Sequence, residues 1–202
     1  MSKNLLIVFV KNIRLGKVKT RLAKSIGNEN AFEVYKYLVD ITEKVTEAIN
    51  IEKHIYFSDA IIEEKWPKTA KFVQKGEDLG QKMQYSIQKG FDDGFEKIVL
   101  IGSDLPDISS QIIQQGFNAL NKTPIVFGPA KDGGYYLIGL TQPYNFLFEN
   151  KPWSQSTLLD VTLTELNAHN LTYSLLQPLN DIDTLEDLKS SSLNKTFSHL
   201  FS

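Results

Sequence analysis

Leu5-Leu6-Ile7-Val8-Phe9-Val10 is an unbroken apolar run that stops at Lys11. A strand with one wet face alternates apolar and polar residues, so a run with no polar member reads as a strand covered on both faces, as in parallel sheets. Ile98-Val99-Leu100-Ile101 and Ile125-Val126-Phe127 are of the same kind, and His54-Ile55-Tyr56-Phe57 is close to it. Helical periodicities lie between these runs. Ala31, Val34, Tyr35, Leu38, Ile41, Val45, Ala48 and Ile49 recur at three- and four-residue steps, predicting a long helix capped at Asn28 after Gly27. Leu79, Met83, Ile87 and Phe91 predict a second helix starting near Asp78, and further helices are expected over 109–120, over 158–168 and from Thr184. Short strands at Phe72-Val73 and Tyr173-Ser174-Leu175-Leu176 complete the series. Tyr135-Tyr136-Leu137-Ile138 follows its predecessor after only a loop, which leaves no room for a crossover helix, so antiparallel or irregular pairing is expected there.

Strands alternating with helices predict an α/β fold, a three-layer α/β/α sandwich on a mostly parallel central sheet. With 202 residues and no repeat, low-complexity tract or linker, a single domain spanning 1–202 is expected. The chain has no cysteine, which excludes disulfides and thiolate metal sites. Its first apolar run is too short to span a bilayer, and no small-residue cleavage site follows, so a cytoplasmic protein is expected, with no membrane partner. On that expectation the N-x-T matches at Asn121, Asn170 and Asn194 are chance occurrences. The 22 basic and 24 acidic residues give a net charge of -2, which supplies no general pull toward nucleic acid. An anionic ligand must therefore be held by a local arrangement.

In sheets of this type ligands bind outside the carboxyl ends of the strands, and four segments fall there. The loop after the first strand carries Lys11, Arg14, Lys17, Lys19 and Arg21, five cations within eleven residues, together with Gly16 and Thr20. With backbone N–H groups at the following helix start, it would suit a di- or triphosphate, although a solvated basic loop has the same composition. A P-loop is excluded, because Lys11 and Val18 occupy positions that need Gly and Ser or Thr. The Rossmann glycine pattern is also missing from this turn. In Gly102-Ser103-Asp104-Leu105-Pro106-Asp107 a buried strand ends on an aspartate; Asp104 would be a hard oxygen ligand for Mg²⁺ or Mn²⁺, or alternatively a turn or helix-capping residue.

The third segment, Gly128-Pro129-Ala130-Lys131-Asp132-Gly133-Gly134-Tyr135-Tyr136, either lets a ligand lie against bare backbone or is a plain β-turn. In the fourth, Asp181 and Asp183 alternate, so in an extended chain they face one side and could share a cation. The rival reading is a cap on the last helix from Asp183 or Thr184, with Glu186 near N3. His54, His169 and His199 stand alone without ligand spacing, and Trp66 and Trp153 read as packing residues, the latter ahead of a polar Ser154-Gln155-Ser156-Thr157 turn that could border a pocket. No G-x-S-x-G elbow occurs, so a triad hydrolase finds no support.

Five stretches in this order are similar to one family. They are Lys11 to Leu22, Asp78-Leu79-Gly80-Gln81-Lys82-Met83, Gly102 to Asp107, Gly128 to Leu140, and Asp181 to Leu188. The chain resembles, over nearly its whole length, the glycosyltransferase-like family related to 2-phospholactate guanylyltransferase, which has the nucleotide-diphospho-sugar transferase (GT-A) fold. Ile13 stands where that family often has proline.

The resemblance implies Asp104 as metal ligand with help from Asp181 and Asp183, and Mg²⁺ or Mn²⁺ as cofactor. It also implies Lys17, Lys19 and Arg21 on the donor phosphates and Asp132-Gly133-Gly134 with Tyr135 toward the acceptor. Asp104 and Lys19 are the catalytic candidates. The expected activity is metal-dependent transfer from a sugar nucleotide or nucleoside triphosphate to a small-molecule acceptor, by glycosyl or nucleotidyl transfer. A non-catalytic nucleotide sensor of the same fold is the alternative, against which the retention of all three aspartates argues.

Overall fold

A computed structural model describes residues 3–201. Met1, Ser2 and Ser202, the ends of the expected domain, lie outside the described residues. The elements in chain order are β1 (Asn4–Val10), α1 (Thr20–Ile26), α2 (Asn28–Glu47), β2 (Glu52–Phe57), β3 (Ala70–Val73), α3 (Leu79–Asp92), β4 (Lys97–Ile101), α4 (Ser110–Ala119), β5 (Ile125–Pro129), β6 (Tyr135–Leu140), α5 (Leu158–Ala168), β7 (Tyr173–Leu175) and α6 (Leu185–Ser190). One seven-stranded sheet runs in the order β3-β2-β1-β4-β6-β5-β7. β6 is antiparallel to both β4 and β5, as the short connection before it predicts, and the other pairs are parallel.

The unbroken apolar run is divided by the pleat. Leu6, Val8 and Val10 pack on one side of the sheet with Tyr35 and Val39 of α2 and Ile112, Ile113 and Phe117 of α4. Leu5, Ile7 and Phe9 pack on the other with Met83 and Ile87 of α3 and Leu159 and Leu166 of α5. That makes three layers. A smaller cluster of Leu22, Val34, Leu38, Ile182 and Leu188 joins α1, α2 and α6 outside the main core. Among the described residues no helix is long and apolar enough to cross a membrane.

Four details differ from the sequence reading. The basic loop is shorter than expected, because α1 begins inside it at Thr20. Asn28 is the first residue of α2 rather than its cap; Gly27 occupies the cap at φ 83° and donates its N–H to the Ala23 carbonyl. The capping box of α6 joins Thr184 to Asp187, not to Glu186. Leu79, read as a core position, is 44% exposed at the start of α3. The cap there is Asp78, which accepts from the Gln81 N–H. His54 and Trp66 are buried packing residues; the indole N–H of Trp66 donates to Thr46 Oγ1 at 2.8 Å.

Candidate functional site

β1 and β4 are parallel neighbours, so the loops leaving their carboxyl ends emerge side by side. Tyr35 of α2 fastens them. Its hydroxyl accepts from the Lys11 backbone N–H at 3.0 Å, donates to the Lys11 carbonyl at 2.9 Å and lies 3.1 Å from Ser103 Oγ. Burial pushes the phenol up to about 12, against the hydrogen bond from Ser103, so it stays protonated. Buried Asn12 ties the same loop to the end of β2, donating to the Ala60 carbonyl at 2.7 Å and accepting from the Asp59 N–H at 2.7 Å.

On this fixed base Lys19 adopts a left-handed conformation, φ 46°, just ahead of α1. Its ammonium points inward, with the side chain 5% exposed, and meets Asp104 Oδ2 at 3.0 Å and Asp183 Oδ1 at 3.1 Å. Burial by itself would lower the Lys19 pKa, but Asp104 and then Asp183 outweigh it and hold the group above its ordinary value. Arg21 approaches Asp183 from the solvent side at 3.4 Å.

The late aspartates reach this point because the chain from Leu179 runs beside the end of β5. The Leu179 N–H donates to the Pro129 carbonyl and the Lys131 N–H to the Leu179 carbonyl, both at 3.0 Å. Between the two acids Ile182 is fully buried under α1 and α6. A buried apolar residue in an extended segment sends both of its neighbours the other way. Capping of α6 falls to Thr184 and Asp187, which leaves Asp183 for Lys19 and Arg21. Among the described residues Asp181 has no such ion-pair partner. Burial first, then the charge of Asp104, opposed in part by Lys19, pushes its carboxyl up to about 7.

Asp132-Gly133-Gly134 forms a tight turn in which Asp132 Oδ1 accepts from the Gly134 N–H at 2.9 Å. Gly133 has φ 90°, and a β-carbon there would lie 1.9 Å from the Ser156 carbonyl oxygen. Only glycine lets this turn touch the segment 154–157.

These pieces enclose a cleft with two compartments that share Leu79, Asp104 and Ser154. The larger, about 720 Å³, holds Lys11, Lys19, Thr20, Arg21 and Lys82, with Ser58 and Gln74 at the ends of β2 and β3. The smaller, about 280 Å³, holds Asp132, Gly134, Tyr135, Gln155 and Asp181. Gly16 and Lys17 are exposed and line neither compartment, and Gly133 shapes the wall without lining it. Tyr35, Lys82 and Leu79 were not singled out as site residues from the sequence, whereas Ser154 and Gln155 belong to the polar turn expected to border a pocket. Tyr35 and Leu79 fit the apolar helical spacing and gave no separate signal.

A preformed metal cage is absent: among the described residues no three His, Cys, Asp or Glu side chains are grouped to hold an ion. Asp104 and Asp181 suit the sparser mode that Mg²⁺ prefers, one or two carboxylates with water and substrate phosphate completing the shell. Asp181 is near enough to Asp104 for that charge to add to burial in raising its pKa, against the pull of Lys19. Oxygen donors with surplus negative charge fit a hard divalent cation.

A search of curated proteins returned no match. Among solved structures, a protein from Desulfovibrio desulfuricans G20 described as a "putative nucleotide-diphospho-sugar transferase" is 31% identical, with a TM-score of 0.89 over 100% of this chain and 94% of that one. CMP:2-keto-3-deoxy-manno-octonic acid synthetase complexed with CTP gives a TM-score of 0.61 at 8% identity, covering 98% and 99% of the two chains. Rv0371c of Mycobacterium tuberculosis H37Rv in complex with manganese gives 0.55 at 13% identity, over 92% and 96%. The last two likenesses establish the fold alone, which is that of the nucleotide-diphospho-sugar transferases. Residues 41–155 match the family described as an uncharacterized protein conserved in bacteria, DUF2064. That stretch carries Asp104 and the Asp132–Tyr135 turn, and the 31% identical structure extends the likeness across the basic loop and the late aspartates. With more than half its length inside the family match and a relative that covers all of it, this chain belongs to the DUF2064 family.

Proposed function

We propose that the protein is a transferase that uses a nucleotide-containing donor, bound with its phosphates in the larger compartment. One observation carries this reading: four cations, Lys11, Lys19, Arg21 and Lys82, converge with the carboxylate of Asp104 at the carboxyl end of the sheet. Cations beside a carboxylate suit a pyrophosphate that a divalent ion joins to the protein. Asp104 and Asp181 are the residues that would hold Mg²⁺ or Mn²⁺, and the ion would supply charge neutralisation on the departing phosphate. Asp183 holds the Lys19 ammonium at the rim of that position. The manganese in the Rv0371c complex and the CTP in the synthetase complex lend support by analogy of fold.

In glycosyl transfer the acceptor oxygen attacks the anomeric carbon, the bond to the nucleoside diphosphate breaks and the acceptor proton goes to solvent or a base. In nucleotidyl transfer it attacks the α-phosphorus and pyrophosphate leaves. The chain's own part is the same in both: Lys19, Arg21 and Lys82 take up the charge of the leaving group, and Tyr35 keeps the basic loop in register with Asp104. No protein nucleophile is required, in keeping with the lack of a G-x-S-x-G elbow in the sequence.

A thermal-shift panel of nucleoside triphosphates and sugar nucleotides, with and without Mg²⁺ or Mn²⁺, tests the reading. A ligand at a hundredfold its Kd adds about 2.7 kcal/mol, a shift of roughly 5–10 °C for a chain of this length. The ligand class that gives a metal-dependent shift selects the chemistry, and turnover with it separates an enzyme from a sensor. Asp104→Asn is expected to abolish the metal-dependent part. If no nucleotide shifts the wild-type protein in either metal, the proposal fails.

A further inference from the structure

The two compartments differ in charge, and the difference bears on the acceptor. Every cation that lines the cleft lies on the larger side. Among the described residues, the smaller compartment is lined by Asp104, Asp132 and Asp181 and by no lysine, arginine or histidine. Lys131 is adjacent to Asp132 in sequence, yet it is exposed and does not line the cavity. The ammonium of Lys19, which meets Asp104 at 3.0 Å, is shared with Asp183.

We propose that the molecule received in the smaller compartment is a small, uncharged, hydroxyl-bearing acceptor. This rests on the larger compartment being the donor site. A phosphorylated or carboxylated acceptor would bring its charge against Asp132 and Asp181, with Lys19 offsetting Asp104 alone and already shared with Asp183, and like charges facing each other select against such a partner. A divalent ion on Asp104 and Asp181 leaves the conclusion unchanged, because it offsets those two carboxylates only, Asp132 remains, and the donor's phosphates add further negative charge.

The rest of the lining fits a neutral polar guest. Leu105, Leu158 and the ring of Tyr136 supply apolar wall, while Gln155 and Ser154 supply neutral hydrogen-bonding groups. Tyr135 also lines the space, but its hydroxyl is shut off from solvent on the core side and is not offered to the guest. At about 280 Å³ the compartment is at the small end of ligand cavities, which suits a simple polyol or monosaccharide rather than a polymer.

The test is saturation-transfer NMR on the full chain with Mg²⁺, with and without the nucleotide that stabilises it most. The probes are matched pairs: glycerol and glycerol 3-phosphate, ribose and ribose 5-phosphate, glucose and glucose 6-phosphate. With nucleotide present, the neutral member of at least one pair is expected to bind at least tenfold more tightly than its phosphate ester. Gln155 is exposed at the wall, so Gln155→Lys adds a cation without disturbing the core and is expected to shift that preference toward the ester. Equal or tighter binding of the esters by the wild-type protein overturns the proposal. So does the absence of binding by every neutral probe, or a preference that Gln155→Lys leaves where it was. Failure of the donor reading is visible separately, as a protein that no nucleotide stabilises.

Discussion

The Tyr35 hydroxyl stands 3.1 Å from Ser103 Oγ while it also engages both backbone groups of Lys11, so one side chain on α2 locks the exits of β1 and β4 together. Lys11 and Ser103 belong to the two segments that carry the cations and Asp104. Tyr35→Phe removes the oxygen and leaves the Lys11 N–H and the buried Ser103 hydroxyl short of a partner. Unsatisfied buried groups cost about 1–3 kcal/mol, which lowers the melting temperature by roughly 4–8 °C for a mid-range loss. Nucleotide affinity should fall as well, because the two halves of the phosphate site lose their common anchor. Melting curves and a nucleotide titration check this, and a variant as stable and as tightly binding as wild type would remove Tyr35 from the account.

Lys19 is the second test. Its ammonium is shared by Asp104 and Asp183, whose side chains are 38% and 39% exposed. Loss of one partner of a fully buried pair costs about 3–5 kcal/mol, but carboxylates this open to water recover part of that, so about 1–2 kcal/mol is expected for Lys19→Met. The variant should also bind triphosphate more weakly and depend more steeply on added Mg²⁺, since the cation beside Asp104 is gone and the metal must supply more of the counter-charge there. Calorimetric titration of nucleotide at several Mg²⁺ concentrations measures both effects. An unchanged affinity would show that the donor phosphates lie elsewhere.

Asp181 predicts a pH dependence. Its folded pKa is raised to about 7 from 3.8. For an acid shifted upward, the folded state holds the proton more tightly than the unfolded state, so the associated stability is fully present below the unfolded value and is lost as pH rises through the folded one. The metal-free protein should therefore lose stability between about pH 4 and pH 7. In Asp181→Asn that part of the decline disappears, and the variant should exceed wild type by about 1–2 kcal/mol at pH 8 after allowance for partial exposure, with no advantage at pH 4. Thermal melts at pH 4, 6 and 8 without metal are sufficient. A variant less stable than wild type at pH 8 would mean that Asp181 is held by a favourable partner.

Features set by local chemistry were legible from the sequence. The run Leu5 to Val10 announced a strand covered on both faces, and the short connection before Tyr135 announced the antiparallel strand. Asp181 and Asp183 were legible as a pair because residues in an extended chain alternate in direction. What depended on distant neighbours was not. Lys19 lies 85 residues from Asp104 and 164 from Asp183, so nothing nearby marked it as the buried member of a basic loop. Helix α1 escaped notice because it is one short element whose cap, Lys19, makes no side-chain bond. Leu79 and Tyr35 fit a helical stripe, and periodicity cannot distinguish a core position from one at the end of the stripe that faces a cleft.

Gly133 supplies the last prediction. Its φ of 90° already disfavours any side chain, and a methyl group there would meet the Ser156 carbonyl oxygen at 1.9 Å. The Leu159 N–H donates to the Gly133 carbonyl at 2.9 Å, so the clash cannot be relieved without moving the start of α5 and the Ser154-Gln155 wall. Gly16 is the control: its φ is 74°, but a β-carbon there has open space around it. Gly16→Ala should cost only the strain of the left-handed conformation, roughly 1–2 kcal/mol, whereas Gly133→Ala adds displacement of packed backbone and should cost about 3 kcal/mol or more. A melting-temperature loss at least twice as large at Gly133 as at Gly16 is expected. Because the displaced wall belongs to the smaller compartment, Gly133→Ala should weaken acceptor use more than nucleotide binding. Equal losses at the two glycines would mean that the turn and the 154–157 segment are not in contact in solution, and the smaller compartment would lose its wall.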